Sequence, residues 1–295
     1  LDLSARDLLG VRRVKILGCG SAYYAGLAGA LLIEGLSRLP ADAETASEFR
    51  YRNPVIDPET LYVAVSQSGE TFDTLAAVQE VKRKGGDVIG VVNAPGSTIA
   101  GECGSGVYIH AGPEVSVTST KSYTSTVVAF ALLALHLGRV RDLGPGDGAR
   151  LIDGLDALPG HIAAVLAGED AIAAVARDLV VPAPSMFLVG RVGGYAVALE
   201  GAQKLKEVSY VYAEAYAKGK ETAIRVILDV KPTSAAAGDA VRAIRSVRMQ
   251  GVEALVTSPA ARLIDLRSVL GARIPWALVI ICAATFVVLF LAFGS

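Results

Sequence analysis

VKILGCGSAYYAGLAGALLIEGLSRL, running from Val14 to Leu39, is the stretch whose reading decides the fold. Val14 to Leu17 is a short apolar run, GCGS follows, and small and apolar residues then continue at helical spacing. That order is strand, tight turn, helix. It returns at Leu61 to Val65 (LYVAV), where the polar turn SQSGET leads into TFDTLAAVQEVKRKGG, with Gly85 and Gly86 as the stop signal. A third run, DVIGVVN, spans Asp87 to Asn93, and a fourth, Gly106 to Ile109, precedes a long helical pattern around Tyr123 to Leu137. Strands alternating with helices of this length predict an α/β fold with a doubly wound parallel sheet and right-handed crossovers. Ligands of such sheets sit beyond the carboxyl ends of the strands, where GCGSA and SQSGET both fall.

A length of 295 residues allows two compact domains. Net charge is −1, from 28 basic and 29 acidic residues without a long like-charge block, which points away from nucleic acid as a partner. Cys19, Cys103 and Cys282 are far apart and lack metal-ligand spacing, so a reducing compartment is expected, with neither a disulfide framework nor a zinc site. His110, His136 and His161 are equally scattered and read as ordinary core or surface histidines. The N-terminal residues lack the apolar core and cleavage pattern of a secretory signal. From Ile274 to Phe293, IPWALVIICAATFVVLFLAF offers 20 residues without a charge, flanked by Arg273 and carrying Trp276. That run reads as a membrane span, and so as a possible membrane contact, or else as a buried core helix.

Between the two α/β stretches, RVRDLGPGDGAR (Arg139 to Arg150) is rich in glycine and charge, and residues 141–150 read as a linker between a first domain, 1–140, and a second, 151–219. The second region has helical patterns near Leu151 to Ala167 and Ala171 to Leu179, then the strand MFLVG (Met186 to Gly190), the turn RVGG and the helix YAVALEGAQKLKEVS. Strand, glycine-containing turn and small-residue helix repeat the Val14 unit, which points to internal duplication.

Ser66, Gln67, Ser68 and Thr71 place three hydroxyls and an amide on a turn that opens a helix, where free backbone N–H groups and the helix dipole favour an anion. A phosphate monoester fits; the alternative is that one hydroxyl merely caps the helix. A nucleotide fits less well, because Tyr23 replaces the third glycine of a dinucleotide fingerprint and no P-loop occurs, so no cofactor is expected. Glu200, Lys204 and Glu207 lie at i, i+4 and i+7 on one helical face, as parts of a site or as an ion-pair ladder.

Five collinear blocks carry a resemblance: CGSAYYAG (Cys19 to Gly26), ASEFRYRNPVID (Ala46 to Asp57), SQSGETFDTLAA (Ser66 to Ala77), GPEVSVTSTKSYT (Gly112 to Thr124) and ALEGAQKLKEVSYVYAEAYAKG (Ala198 to Gly219). Over residues 1 to about 219 the chain resembles the isomerase part of the glutamine:fructose-6-phosphate aminotransferase family, built from two flavodoxin-like sugar isomerase (SIS) domains. The resemblance implies that Ser66, Gln67, Ser68 and Thr71 hold the phosphate of fructose 6-phosphate or glucosamine 6-phosphate, with Ser21 beside them. It places Val117 and Ser119 along the sugar and makes Glu207 the base between C1 and C2, with Lys204 and Glu200 nearby. It also implies a homodimer and a cytoplasmic setting. Ala22 departs from the family, which carries a further hydroxyl there.

After Gly219 the family continues with a histidine that opens the sugar ring, and Ala223 stands in its place. The family's tail lysine, which forms the imine with the sugar, has no counterpart in FLAFGS, and its glutaminase domain does not precede Leu1. The second SIS domain therefore reads as truncated, and the expectation is phosphosugar binding with little or no turnover. Residues from about 223 on, with strand-like AIRVILDV and VEALV, a helix carrying Ala240, Ile244 and Val247, and the apolar run, are similar to a segment of MmpL-type transporters. The chain is thus read as two unrelated pieces meeting near residue 220: an isomerase part or a membrane-tethered binding module, and an α+β transporter-like fragment over 220–295.

Overall fold

A computed structural model describes residues 3–217, 234–246 and the single positions 261, 264, 265 and 268. The expected strands AIRVILDV and VEALV, Ala223, and the apolar run Ile274–Phe293 lie outside the described residues. Among the described residues no single helix is long and apolar enough to cross a membrane.

Five parallel strands form the main sheet: β1 Arg13–Gly18, β2 Ala41–Thr45, β3 Thr60–Ser66, β4 Asp87–Val92 and β5 Gly106–Tyr108, in the order β2-β1-β3-β4-β5. This is the flavodoxin-like order, and every residue of the central strand β3 is buried, as a sheet covered on both faces requires. Alternation along the strands feeds two cores. Val14, Ile16, Leu61, Val63 and Val65 pack under helices α2 (Ser21–Ser37) and α6 (Lys121–Arg139). Leu17, Tyr62 and Ala64 face the other way, toward α3 (Ala46–Tyr51), α4 (Phe72–Arg83) and α5 (Thr98–Cys103). A short α1, Ala5–Gly10, precedes the sheet and puts Leu8 into the first core. Because the chain leaves β1 toward β2 on one side and places β3 on the other, a crevice opens beyond the carboxyl ends of β1 and β3. The turns after those two strands are GCGS and SQSGET.

The expected linker 141–150 is irregular only up to Gly144. Pro145 opens α7, Pro145–Leu166, at the first helical position, where a missing N–H and a fixed φ cost nothing. Glycine and charge there mark a helix start, not a flexible tether. Next come α8 (Glu169–Val175), a π turn (Ala176–Val180), β6 (Ser185–Gly190), α9 (Gly193–Ser209) and β7 (Tyr212–Ala217), with β6 and β7 pairing in parallel. Leu1–Ile224 form one compact unit, in which α9 packs on α2. Arg225–Ser295 is the second unit. Its described helix α10, Ala235–Ser246, buries Ala237 and Val241 with Ala261.

The repeated strand–turn–helix unit is matched position by position. β1 and β6 have 6 residues each, and α2 and α9 have 17 each. Both helices end on a left-handed residue, Arg38 and Tyr210. Val14 pairs with Ala41 and Met186 with Ala213 in the same register. Even the turns agree: the Cys19 carbonyl accepts the Ala22 N–H at 3.1 Å, and the Arg191 carbonyl accepts the Gly194 N–H at 2.9 Å. The first central residue is Gly20 at φ 55°, ψ −127° in one copy and Val192 at φ 53°, ψ −120° in the other. These are type II′ turns, whose first central position is built for glycine. A β-branched residue there is strained by ~1–3 kcal/mol. Val192→Gly is therefore expected to stabilise the protein by about 1 kcal/mol after the added unfolded-state freedom of glycine is subtracted. A denaturant midpoint that falls would show that the turn holds valine without strain.

Candidate functional site

β3 ends at Ser66, whose buried hydroxyl accepts the Gly69 N–H at 3.0 Å and shares a 2.9 Å hydrogen bond with the Thr71 hydroxyl. Between them the chain turns through Gly69 at φ 68°. Ser68 Oγ accepts the Glu70 N–H at 3.1 Å, and the Glu70 carboxylate accepts the Thr98 N–H at 2.8 Å, which ties the loop to α5. Thr71 holds the N-cap position of α4, yet its side chain makes no cap bond, because Ser66 occupies it. The simple capping alternative therefore does not describe this turn. The first amides of α4 are left without a side-chain partner, at the positive end of the helix dipole.

Ser66, Gln67, Ser68 and Thr71 line a cleft of about 230 Å³, joined by Ser21 and Ala22 from the start of α2. A liquid water takes up ~30 Å³, so the cleft suits a polyatomic ligand. Val117 and Ser119, from the loop before α6, form another wall, with Val117 largely exposed and Ser119 sharing a 2.7 Å hydrogen bond with Ser122. Lys204 reaches in from α9.

Two expected site residues stand back from the cleft. Glu200 is 6% exposed and accepts the Ser21 hydroxyl at 2.8 Å, so it acts on the lining through Ser21. Glu207 lies on the exposed flank of α9, held by Lys204 Nζ at 2.5 Å and by Gln203 Nε2 at 2.6 Å. Its partial burial pulls its pKa up, but those bonds and the Lys204 charge outweigh it and leave the carboxyl below its ordinary value. Glu200 moves the other way: burial raises it, Ser21 and Lys204 draw it back, and Glu207 adds to the rise. The ion-pair ladder is thus present on one helix face, and its Lys204 also lines the cleft.

Sequence reasoning missed Cys19, Glu114, Ser122, Tyr123 and Thr126, all of which line the cleft. Glu114 is the most telling. Its carboxylate accepts the Ser122 N–H at 3.0 Å, the Ser122 hydroxyl at 2.6 Å and the Thr120 hydroxyl at 2.8 Å. Burial opposes its ionisation, but these bonds prevail and pull its pKa down to about 2. A carboxylate thus already caps the N-terminus of α6, while the first-turn carboxylate of α4, Asp73, is turned to Arg50 at 2.8 Å and leaves the first amides of that helix unbonded by any side chain. Glu114 stands eight residues before Ser122, beyond the reach of any local capping pattern, so only the block GPEVSVTSTKSYT could have signalled it.

Residues 7–136 match the SIS domain family. A glutamine–fructose-6-phosphate aminotransferase (isomerizing) of Symbiobacterium thermophilum is 45% identical over 238 residues, 80% of this chain and 39% of that protein. One from Thermus thermophilus is 48% identical over 217 residues, 73% of this chain and 36% of that protein. Among solved structures, the C-terminal domain of glucosamine-fructose-6-phosphate aminotransferase from Francisella tularensis superposes with a TM-score of 0.71 at 32% identity, covering 74% of this chain and 62% of that one. The chain spans under two fifths of the length of these curated relatives. The transporter resemblance expected for residues from about 223 on finds no support in them. Residues 7–136 thus match the SIS domain family in a sheet of flavodoxin-like order, and the chain is similar to the glutamine–fructose-6-phosphate aminotransferases over 73–80% of its length.

Proposed function

We propose that this chain is the phosphosugar-binding isomerase part of a glucosamine-6-phosphate synthase, taking fructose 6-phosphate or glucosamine 6-phosphate in the cleft between α2, α4, α6 and α9. The observation that carries this reading is the uncapped N-terminus of α4, with Ser66, Gln67, Ser68 and Thr71 turned into the cleft at the switch point of the sheet. A phosphate dianion there gains backbone N–H donors, hydroxyl donors and the helix dipole together. Val117 and Ser119 would flank the sugar, and Lys204 would meet its hydroxyl end.

Isomerisation moves a proton between C1 and C2, and Glu207 is the base the homology points to. Glu207 is ionised at neutral pH but bound to Lys204, so it must part from that lysine before it takes a carbon-bound proton. With Ala223 in place of the ring-opening histidine, we expect binding to outlast turnover. On the same homology we expect a homodimer and a cytoplasmic setting, and aminotransfer when a glutaminase supplies ammonia.

Calorimetric titration of the full chain with glucosamine 6-phosphate and with glucosamine tests the reading. The phosphorylated sugar is expected to bind and the free sugar is not. Thr71→Val removes one hydroxyl from a charged ligand and is expected to weaken binding about 10- to 100-fold, with Thr71→Ser recovering most of it. Equal affinity for the two sugars would remove the phosphate from the argument and sink the proposal.

A further inference from the structure

Two buried polar atoms near the cleft have nothing to bond with. Tyr123 Oη, on α6, and Glu200 Oε2, on α9, are buried without a hydrogen-bond partner. Buried polar groups are nearly always paired, and an orphan carries the whole cost of its lost hydration. A bridging water is not the remedy, since each atom exposes less than 1 Å² and so has no room for a water beside it. The two are chemical complements, a donor without an acceptor and an acceptor without a donor. They are already electrostatically coupled: burial, then the Glu200 charge, pushes the Tyr123 hydroxyl up to about 12, so it keeps its proton and is available as a donor.

The same two residues frame the cleft. Tyr123 lines it directly, next to Ser122 and Thr126, while the other oxygen of Glu200 holds the Ser21 hydroxyl at 2.8 Å. On its own helix Glu200 faces Lys204, whose Nζ lies 4.0 Å from Oε1, with Glu207 beyond; from α2 it faces Ser21 and the Tyr24 ring, and from α6 Tyr123. Of these neighbours, Tyr123 is the one whose donor is both buried and without a bond.

We propose that Tyr123 is a positioning residue: when a phosphosugar fills the cleft, its hydroxyl donates to Glu200 Oε2, which locks the Glu200 carboxyl and, through Oε1, the Ser21 hydroxyl toward the ligand. The inference rests on the phosphosugar reading of the cleft. It adds that the α6–α9 contact is completed by the ligand and not by folding.

The test uses the full chain and glucosamine 6-phosphate, with Tyr123→Phe, Glu200→Ala and the double variant. Tyr123→Phe is expected to weaken binding about tenfold, as loss of one hydrogen bond to a charged group does. The denaturation midpoint of the ligand-free protein should not fall and should rise slightly, because the substitution removes a buried hydroxyl that has no partner there. In the Glu200→Ala background the tyrosine substitution should change binding no further. Wild-type affinity in Tyr123→Phe overturns the inference and leaves the phosphosugar reading standing. A ligand-free midpoint that falls in step with affinity overturns it too, since the hydroxyl would then serve folding. Should Glu200→Ala not fold, Tyr123→Phe alone decides. Absence of binding by the wild-type chain overturns both readings at once.

Discussion

Gly69→Ala is expected to lower stability by about 3 kcal/mol and to remove phosphosugar binding. At φ 68° the added methyl costs ~1–2 kcal/mol in backbone strain. A Cβ built there would lie 1.9 Å from Ser97 Oγ and 2.3 Å from Ser97 Cβ, so either α5 or the loop must move, at ~1–3 kcal/mol. Ser97 is buried, so it does not simply swing out into solvent. The loop is the softer of the two, and its displacement breaks the 3.0 Å bond from the Gly69 N–H to Ser66 Oγ, which also positions Thr71. Binding is lost because hydroxyls that converge on one phosphate must hold their places to within about half an ångström. Urea unfolding gives the first quantity and calorimetry the second. An unchanged midpoint would mean that the turn tolerates a side chain, and that Ser97 does not brace it.

The main sheet was legible where strands are buried on both faces. β3 and β4 are nearly continuous apolar runs, β1 turns apolar from Ile16 on, and their turns and following helices carry clear start and stop residues. β2 was not legible, for a physical reason. Its sequence, ADAET, alternates only small alanines with acidic residues, too weak an apolar pattern to stand out, and it is held at the sheet edge by charge: Arg13 to Asp42 at 2.7 Å, and Lys15 to Asp42 at 2.5 Å and to Glu44 at 2.7 Å. Cross-strand ion pairs leave no periodic trace in one strand read alone. The α7 start was hidden in the same way, because glycine and charge read as a tether until Pro145 is placed at the first helical position.

Within the site, the phosphate turn could be read because its residues are contiguous and its chemistry is local. Glu200 could be read as one of three charges on a helix face, but its contact with Ser21 joins residues 179 positions apart. The Glu114 cap and the Tyr123 hydroxyl belong to the same class, meaningful only once α2, α6 and α9 meet. The duplication shows both sides of this limit. Strand, turn and helix repeat visibly in the sequence, whereas the shared type II′ turn is disguised by Val192 standing where the first copy has Gly20.

Phe130→Ala should then have the largest effect on stability, about 3–5 kcal/mol, because it empties the contact that sets two walls of the cleft. Phe130 is fully buried in the core formed by α2, α6 and β1. Its ring lies so close to α2 that a Cβ at Gly29 would come within 2.4 Å of it, which is why that helix carries glycine at the crossing. The crossing fixes how far the start of α2, with Ser21, stands from the start of α6, with Ser122 and Tyr123. Phe130→Leu keeps most of the volume and should cost about 1.5 kcal/mol or less. Gly29→Ala, damaging in the wild type, should be nearly neutral or stabilising in the Phe130→Ala background, where the methyl enters the space the ring has left. Urea unfolding of the four chains measures that coupling. If the two substitutions simply add, the ring does not press on Gly29, and the spacing of the cleft walls must be set elsewhere along α2.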